Sequence, residues 1–438
     1  MSKIQQDLKR RILIPCLIGN ALEFYDFTLC GVFIVVLGKN FFPSDNEFSA
    51  LLGGIFAFSA AFWTRPLGAL VFGYIGDKYG RKKALTLSVL MMGVPTLIIG
   101  ILPTYSSIGI AAPCILLFCR LIQGLCTGGE YNGAAIFALE HMKVKSGITS
   151  GLISASCVVG AVSATTMAFL STNFLAYEEG WRIPFYLGAC VAIVGYILRK
   201  WSMETDDFIK RKPIKGLPII EVIKKHPKQY LLSIASGAFN GILSYTLFGF
   251  LNLYITQYVG VKFTTSLFLN IFGLFAFMLS CPIFGLICDK TSPYRSMVLA
   301  SFVAIFTNWI GFLLLQVGTI EEIIVGQIFI GIGVGSFVGP SHAFLQQQFS
   351  PEIRYTGIAS GFSIGMAMTG GTTALIMTYI LKQSQILLAP AMYISFAALV
   401  WLVALKFLSI RNKTPRPVSE YNTKKSNLRV DKNEARRA

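Results

Sequence analysis

Charge is scarce in this sequence. Of its 438 residues, 13% are charged and 54% are hydrophobic, and that charged fraction is about half of what a soluble domain carries. A soluble chain of this length needs charged side chains to cover its surface, so the composition excludes most soluble enzymes. Aromatic residues make up 13% of the chain, which is typical of a lipid-facing surface with aromatic belts.

Motifs for metal, disulfide and nucleotide chemistry are also missing. The 9 cysteines form no CxxC pair, so we expect neither a zinc site nor a disulfide framework. His141, His226 and His342 have no metal-ligand spacing, and the chain contains no Walker A sequence. No nucleophile and base have the spacing of a catalytic pattern. We therefore expect that the protein is not an enzyme and that it binds neither a metal nor a cofactor. The basic N-terminus is followed by no small-residue cleavage site, so we expect no removable signal peptide.

Long apolar runs are what the sequence does contain. Each is about 20 residues or longer, enough to cross a bilayer, and their continuity excludes a membrane β-barrel. The sequence therefore predicts an all-α membrane protein with twelve transmembrane helices. We place them near residues 12–37, 50–75, 84–103, 109–138, 147–171, 184–200, 229–257, 264–288, 296–316, 321–347, 355–381 and 388–410.

Lysine and arginine predict the orientation. They concentrate before the first span, after the second, in the stretch 201–228 and in the tail 411–438. With twelve spans, all of these lie on one side, so the positive-inside rule predicts that both termini are cytoplasmic. This accounts for most of the net charge of +17 without a nucleic-acid partner. We divide the chain into a cytoplasmic N-terminus (1–11), a first six-helix bundle (12–200), a basic linker (201–228), a second bundle (229–410) and a disordered basic tail (411–438).

One turn occurs twice in the sequence. Residues 73–83 (GYIGDKYGRKK) follow the second span, and residues 285–295 (GLICDKTSPYR) follow the eighth, at a constant offset of 212. An offset near half the chain predicts two six-helix pseudo-repeats. We predict a gate on the cytoplasmic side, in which Asp77 pairs or caps across the gap between the two halves. Its residues are Gly73, Asp77, Lys78, Gly80, Arg81, Glu140, Asp289 and Arg354.

Charges at membrane depth are costly and mark functional sites. Glu23 and Asp26 share a helix face, Arg65 lies on the second span, and Arg120 and Glu130 lie on the fourth. We predict proton coupling by Glu23, Asp26 and Glu130. For Glu23 and Asp26 the alternative is that one of them forms a structural ion pair with Arg65 or Arg120. Arg120 is predicted to receive a carboxylate, and Arg65 either contacts substrate or forms an ion pair. These five charges sum to −1, or to zero when one carboxylate is protonated, and a neutral loaded site favours a zwitterionic substrate over a dicarboxylate.

Neutral residues complete the predicted substrate site. Gln123 falls on the same face of the fourth span as Glu130, and aromatic rings attract a quaternary ammonium by cation–π interaction, although most aromatics in such a chain only pack. The predicted substrate-binding residues are Asn20, Phe24, Tyr25, Arg65, Arg120, Gln123, Tyr131, Asn240 and Tyr245.

Several motifs together resemble one family. They are GNALEFYDF at 19–27, RPLG at 65–68, RLIQG at 120–124, GGEY at 128–131, GWRIPF at 180–185 and PEIRYTG at 351–357. The chain resembles the metabolite:proton symporters of the major facilitator superfamily, most closely bacterial proline/betaine transporters. The second copy of the gating turn departs from the family pattern, because it lacks the Gly-Arg-Lys of the first.

This resemblance implies a secondary active transporter that takes up a proline- or betaine-type osmolyte with protons. It implies a monomer in the bacterial inner membrane, with a small-molecule substrate, protons and lipids as partners. Symport of a carboxylate such as α-ketoglutarate, citrate or shikimate remains an alternative. Export or antiport on the same fold is another, and a membrane receptor that does not transport is a third.

Overall fold

The computed structural model describes residues 12–43, 47–173, 179–211 and 216–410. The predicted N-terminal segment and the basic tail lie outside the described residues. Among the described residues, 11 helices are long and apolar enough to cross a membrane. A pair of helices bent by 63° passes the same test together and makes a twelfth span.

We number the spans α1 to α12 in chain order. The first is the bent pair, which breaks at Phe33, and the seventh contains two π-helical segments. The bounds are α1 Ile14–Val32 with Ile34–Phe41, α2 Glu47–Tyr79, α3 Arg81–Ile101, α4 Ala111–His141, α5 Ser146–Asn173, α6 Ile183–Lys200, α7 Pro227–Val259, α8 Phe263–Lys290, α9 Pro293–Val317, α10 Ile320–Gln346, α11 Arg354–Ser384 and α12 Ala389–Leu408.

Local sequence explains where these helices start and stop. Proline occupies the first turn of α1, α6, α7, α9 and α12, where no hydrogen bond from its nitrogen is needed. The hydroxyl of Ser292 caps α9 by accepting from the N–H of Arg295. Gly80 separates α2 from α3 with a φ of 117°, which L side chains rarely adopt.

Helices α1–α6 form the first half of the molecule and α7–α12 form the second. We call the end where α2 and α4 stop, and where α3 and α5 start, the basic end. Here α5 and α8 approach each other very closely: a methyl group on Gly147 would meet the carbonyl oxygen of Gly285, and one on Gly285 would meet that of Gly147. Small residues allow such contact between membrane helices.

The linker between the halves is partly helical. Asp206–Lys210 and Pro218–Lys225 form two short helices, separated by residues 212–215, which lie outside the described residues. Thr205 caps the first of them by accepting from the N–H of Phe208. The linker therefore does more than connect the halves, because its first helix lies against the basic end.

Candidate functional site

A central cavity lies between the first half and α11. The space open to water inside it is about 30 Å³, which is room for about two water molecules. Its walls come from α1, α2, α4 and α11, so both halves contribute. The lining residues are Glu23, Phe24, Phe62, Arg65, Thr127, Tyr131, Asn132, Phe362, Ser363, Met366 and Ala367.

Glu23 and Arg65 supply the charges in this wall. Arg65 Nη2 lies 3.9 Å from Glu23 Oε1, which is longer than a hydrogen bond. Glu23 Oε2 has no hydrogen-bond partner among the described residues. The Arg65 guanidinium also lies 5.0 Å from the ring centre of Phe27 and 5.2 Å from that of Phe62. The pair is therefore loose, and both groups keep hydrogen-bonding capacity for a ligand.

Asp26 has different partners from Glu23, although the two are three residues apart. Thr96 Oγ1 donates to Asp26 Oδ2 at 2.6 Å, and Gln123 Nε2 donates to Thr96 Oγ1 at 2.9 Å. Arg120 Nη1 in turn donates to Gln123 Oε1 at 2.8 Å. The two predicted carboxylates thus do not share one site. Asp26 connects to Arg120 through two neutral side chains inside the first half.

Glu130 is the most completely paired of the three predicted proton carriers. Arg199, at the end of α6, donates to both carboxylate oxygens, and Ser88 donates to Oε2. Arg199 also donates to the carbonyl oxygen of Leu85 at 2.6 Å. A side chain on Gly19 would overlap the Arg199 guanidinium. Glu130 therefore fastens α4, α3 and α6 together.

Arg199 corrects the charge balance. Arg199 is 3% exposed. In the sequence it stands beside Lys200 at a helix end and resembles an ordinary interfacial cation, so the sequence pattern does not mark it as an intramembrane charge. With Arg199 included, the six buried charges sum to zero. Each carboxylate then has its own arginine, directly or through Thr96 and Gln123. The sum of five charges therefore does not describe the site, and the two charges in the cavity wall are those of Glu23 and Arg65.

The other predicted substrate residues divide into two groups. Phe24, Arg65 and Tyr131 line the cavity. Asn20 instead donates to α5 at Ile153 and Ser156, and the Tyr25 hydroxyl donates to the carbonyl oxygen of Pro184.

Four predicted contacts remain. Arg120 donates to the carbonyl oxygens of Ala57 and Phe58, and Gln123 joins it to Thr96. Asn240 accepts from Ser244 within α7. Tyr245 meets Phe62 of the other half, with ring centres 6.0 Å apart.

The repeated aspartates both cap helices across the two halves. Asp77 accepts from the N–H groups of Tyr355 and Thr356, at 3.2 and 2.8 Å, at the start of α11. Asp289 accepts from the N–H groups of Gly147 and Ile148, at 2.6 and 2.9 Å, at the start of α5. A carboxylate is favoured there because the first N–H groups of a helix have no partner within it.

A buried ionic network surrounds Asp77. Arg81 lies 3.1 Å from Asp77 and 3.3 Å from Glu140, and it donates to the carbonyl oxygen of Pro351 at 2.5 Å. Glu140 also pairs with Arg354 at 2.8 Å. Both Arg81 and Glu140 belong to the first half, whereas Pro351 and Arg354 belong to the second. The network therefore closes the basic end.

The linker helix adds a contact that the sequence patterns did not indicate. Asp207 pairs with Lys143, between α4 and α5, and with Arg354 at 3.0 Å. The neighbouring Phe208 ring lies 5.5 Å from the Arg81 guanidinium and 4.0 Å from that of Arg211. Thr205 followed by two aspartates is a helix-start pattern that identifies this helix in advance. Its partners, by contrast, follow only from the fold.

The predicted gating glycines lie at close approaches. A side chain on Gly73 would run into the backbone of Thr356, so α2 and α11 touch there. Gly80 lies beneath the carboxylate of Glu204. Lys78 has a different environment: its ammonium contacts the Tyr74 hydroxyl at 2.5 Å on the exposed surface.

The Major Facilitator Superfamily matches this chain over residues 16–375. The chain belongs to this superfamily. The protein is accordingly a membrane transporter and not an enzyme, and the predicted fold class of two six-helix pseudo-repeats is confirmed.

Similar proteins agree with this assignment. The proline/betaine transporter of Salmonella typhimurium is 30% identical over 429 residues, covering 93% of this chain and 85% of that protein. The one from Escherichia coli K12 is 31% identical, covering 90% and 82%. A putative proline/betaine transporter of Staphylococcus aureus is 30% identical, covering 92% and 88%.

Solved structures share the fold. The proton:xylose symporter XylE, bound to 6-bromo-6-deoxy-D-glucose, aligns with a TM-score of 0.70 at 13% identity, covering 91% of this chain and 94% of that one. The transporter FucP, in its outward conformation, aligns with a TM-score of 0.68 at 11% identity, covering 92% and 100%.

Proposed function

We propose that this transporter takes up a small zwitterionic osmolyte of the proline or betaine type, driven by protons. The observation that carries the proposal is the loose Glu23–Arg65 pair in the wall of the central cavity. Arg65 offers donors to a substrate carboxylate. The aromatic rings of Phe24, Phe62 and Tyr131 line the same cavity and attract an ammonium group. The names of the curated relatives support this substrate class.

Proton coupling follows from the same pair. Of the three carboxylates predicted to carry protons, Glu23 is the one that lines the cavity. Protonation of Glu23 removes its attraction for Arg65 and releases the guanidinium to bind the substrate carboxylate. Loss of the proton restores the pair and displaces the substrate. Each cycle then moves one proton with one zwitterion, and a net charge of +1 crosses the membrane.

We further propose that the basic end faces the cytoplasm of a bacterium and that the protein works as a monomer in the inner membrane. The positive-inside rule supports the orientation. The two bundles, joined by the linker, would rock around this cavity to expose it to each side in turn.

Uptake into proteoliposomes tests the proposal. We expect labelled glycine betaine and proline to accumulate under an inward proton gradient, and a protonophore to abolish accumulation. Glu23→Gln removes the titrating group, so we expect gradient-driven accumulation to disappear while exchange of internal for external substrate continues. Glu221→Gln is the control, because Glu221 pairs with Lys225 on the surface.

Other results would replace this function with another. Uptake that changes neither with the proton gradient nor with the protonophore contradicts symport. Competition by α-ketoglutarate, citrate or shikimate, without competition between betaine and proline, indicates a carboxylate symporter. Accumulation only when the proton gradient is reversed indicates an exporter or antiporter.

A further inference from the structure

One histidine of the second half contacts three residues that line the cavity. His342 lies on α10 and is 1% exposed. Its Nε2 is 3.0 Å from Oδ1 of Asn132, a cavity-lining residue on α4. Its ring also packs against two other lining residues, with ring centres 4.7 Å from Tyr131 and 5.1 Å from Phe362. Nothing in the composition or motifs assigned a role to this histidine.

The hydrogen bond fixes the orientation of the Asn132 amide. A side-chain amide has an accepting oxygen at one end and a donating nitrogen at the other. Because Oδ1 of Asn132 accepts from His342, the Nδ2 donor lies at the opposite end of the group. Asn132 lines the same cavity as Arg65. The amide is thus held with its donor available to a ligand that carries acceptors.

We propose that Asn132 Nδ2 donates to the carboxylate of the substrate, alongside Arg65, and that His342 is a positioning residue that holds this donor in place. This inference rests on the proposed function, since it needs a substrate that has a carboxylate. Arg65 supplies a positive charge for the substrate carboxylate, and Asn132 supplies a hydrogen-bond donor of fixed orientation. Together they distinguish a zwitterion from a cation that has the same ammonium group.

The bond also depends on the state of the transporter. Asn132 belongs to the first half and His342 to the second, and both lie near contacts that close the basic end, such as Tyr355 Oη with the carbonyl oxygen of Gly129 at 3.0 Å. When the halves separate at that end, α4 moves away from α10 and the Asn132 amide loses its hydrogen bond to His342. The carboxylate is then held less firmly in the state from which it must leave.

The test compares glycine betaine with choline, which has the same quaternary ammonium but no carboxylate. In proteoliposomes we measure the KM for betaine uptake and the inhibition constant of choline. Asn132→Asp keeps the oxygen that His342 binds but replaces the donor with a negative charge. We expect the betaine KM to rise about tenfold and choline to inhibit more strongly.

Variants of His342 test positioning. His342→Phe keeps the ring packing and removes the donor, so the betaine KM should rise several-fold while choline inhibition stays unchanged. His342→Gln restores a donor and should return the KM toward that of the unmodified protein. His141→Phe is the control, because the hydrogen bond of the His141 ring stays within α4, at the carbonyl oxygen of Phe137.

Opposite shifts for betaine and choline in Asn132→Asp, together with rescue by His342→Gln, support the proposal. It is overturned if betaine and choline shift in the same direction by similar factors, or if His342→Gln behaves like His342→Phe. If the unmodified protein accumulates neither betaine nor proline, the proposed function fails before any variant is compared, and the inference fails with it.

Discussion

Asp77 and Asp289 occupy equivalent places in the two repeats, and their surroundings differ. Each carboxylate caps a helix of the opposite half by accepting two backbone N–H groups. Among the residues that the structure describes, only Asp77 has a buried arginine beside it, Arg81. Pro293 stands 212 residues after Arg81, in the second copy of the turn. The helix cap is therefore the element that both repeats share, and the ionic network belongs to one of them.

This difference predicts how much the Asp77 side and the Asp289 side each contribute to the stability of the closed basic end. On the Asp289 side, closure relies on a carboxylate facing a helix start, an interaction worth about 0.3–2 kcal/mol. On the Asp77 side, removal of one member of a buried ionic cluster leaves a charge without compensation, at a cost of about 3–5 kcal/mol. The two sides should therefore respond very differently to equivalent substitutions.

Asp77→Ala should have the largest effect. It removes the cap of α11 and leaves the buried Arg81 with fewer partners, so the basic end should open and uptake should fall at least about tenfold. Labelling of Cys281 by N-ethylmaleimide measures the opening, because Cys281 is buried where Gly151 and Gly339 pack against its backbone. The labelling rate of Cys281 in the unmodified protein is the reference. Uptake and Cys281 labelling equal to those of the unmodified protein would show that Asp77 does not hold the gate.

Asp207→Asn should have an intermediate effect, because it weakens the bridge from the linker to Lys143 and Arg354. Partly exposed ion pairs contribute up to about 1 kcal/mol, so Cys281 labelling should increase about fivefold. Asp206→Asn is the matched control: Asp206 is the adjacent residue, and its one ion pair within the described part of the chain is with exposed Lys210, four residues away. Equal effects of the two substitutions would exclude a specific role for Asp207.

The effect of Asp207 should not change with pH in the physiological range. Partial burial tends to raise the pKa of Asp207, but the hydrogen bonds and charges of Lys143 and Arg354 outweigh it and lower that pKa from its ordinary value of 3.8. A lowered pKa means that the bridge contributes above the ordinary value and is lost only as the pH falls through the lowered one. The ratio of Cys281 labelling between Asp207→Asn and the unmodified protein should therefore be constant from about pH 5 to 8.

Asp289→Asn should have the smallest effect. Asparagine caps helices about as well as aspartate, and the described residues place no arginine against Asp289. We expect uptake and Cys281 labelling to change less than about twofold, whereas Asp77→Asn, made as the companion variant, should still open the basic end. Effects of the same size in the two variants would mean that the repeats contribute equally to closure.

The sequence predicted much of this gate and less of the substrate site. Helix positions followed from apolar length, and the turn after the second span predicted that Asp77 pairs or caps across the halves. The cap that Asp289 makes on α5 follows from the fold. Arg199 and Asp207 were missed because their importance depends on long-range partners, Glu130 and Arg354. No spacing along the chain encodes such a pairing.

The substrate site shows the same limit. Periodicity predicted that Glu23 and Asp26 share one face of α1, but a helix face is wide enough for one to line the cavity and the other to face Thr96. Asn20 and Tyr25 belong to the same motif and bond to neighbouring helices instead. A motif identifies a helix that matters, and only packing shows which of its side chains meet the ligand.

The contact of Gly147 with Gly285 has a consequence for the speed and fidelity of the transport cycle. Where these helices meet backbone to backbone, closure immobilises no rotatable side chain, so this point adds no side-chain entropy cost to each closing. Because neither backbone surface has a side chain that can change rotamer, α5 and α8 pack against each other in one arrangement. The halves can therefore return to the same alignment in every turnover, and the charged groups beside them are presented to each other at the same distances each time.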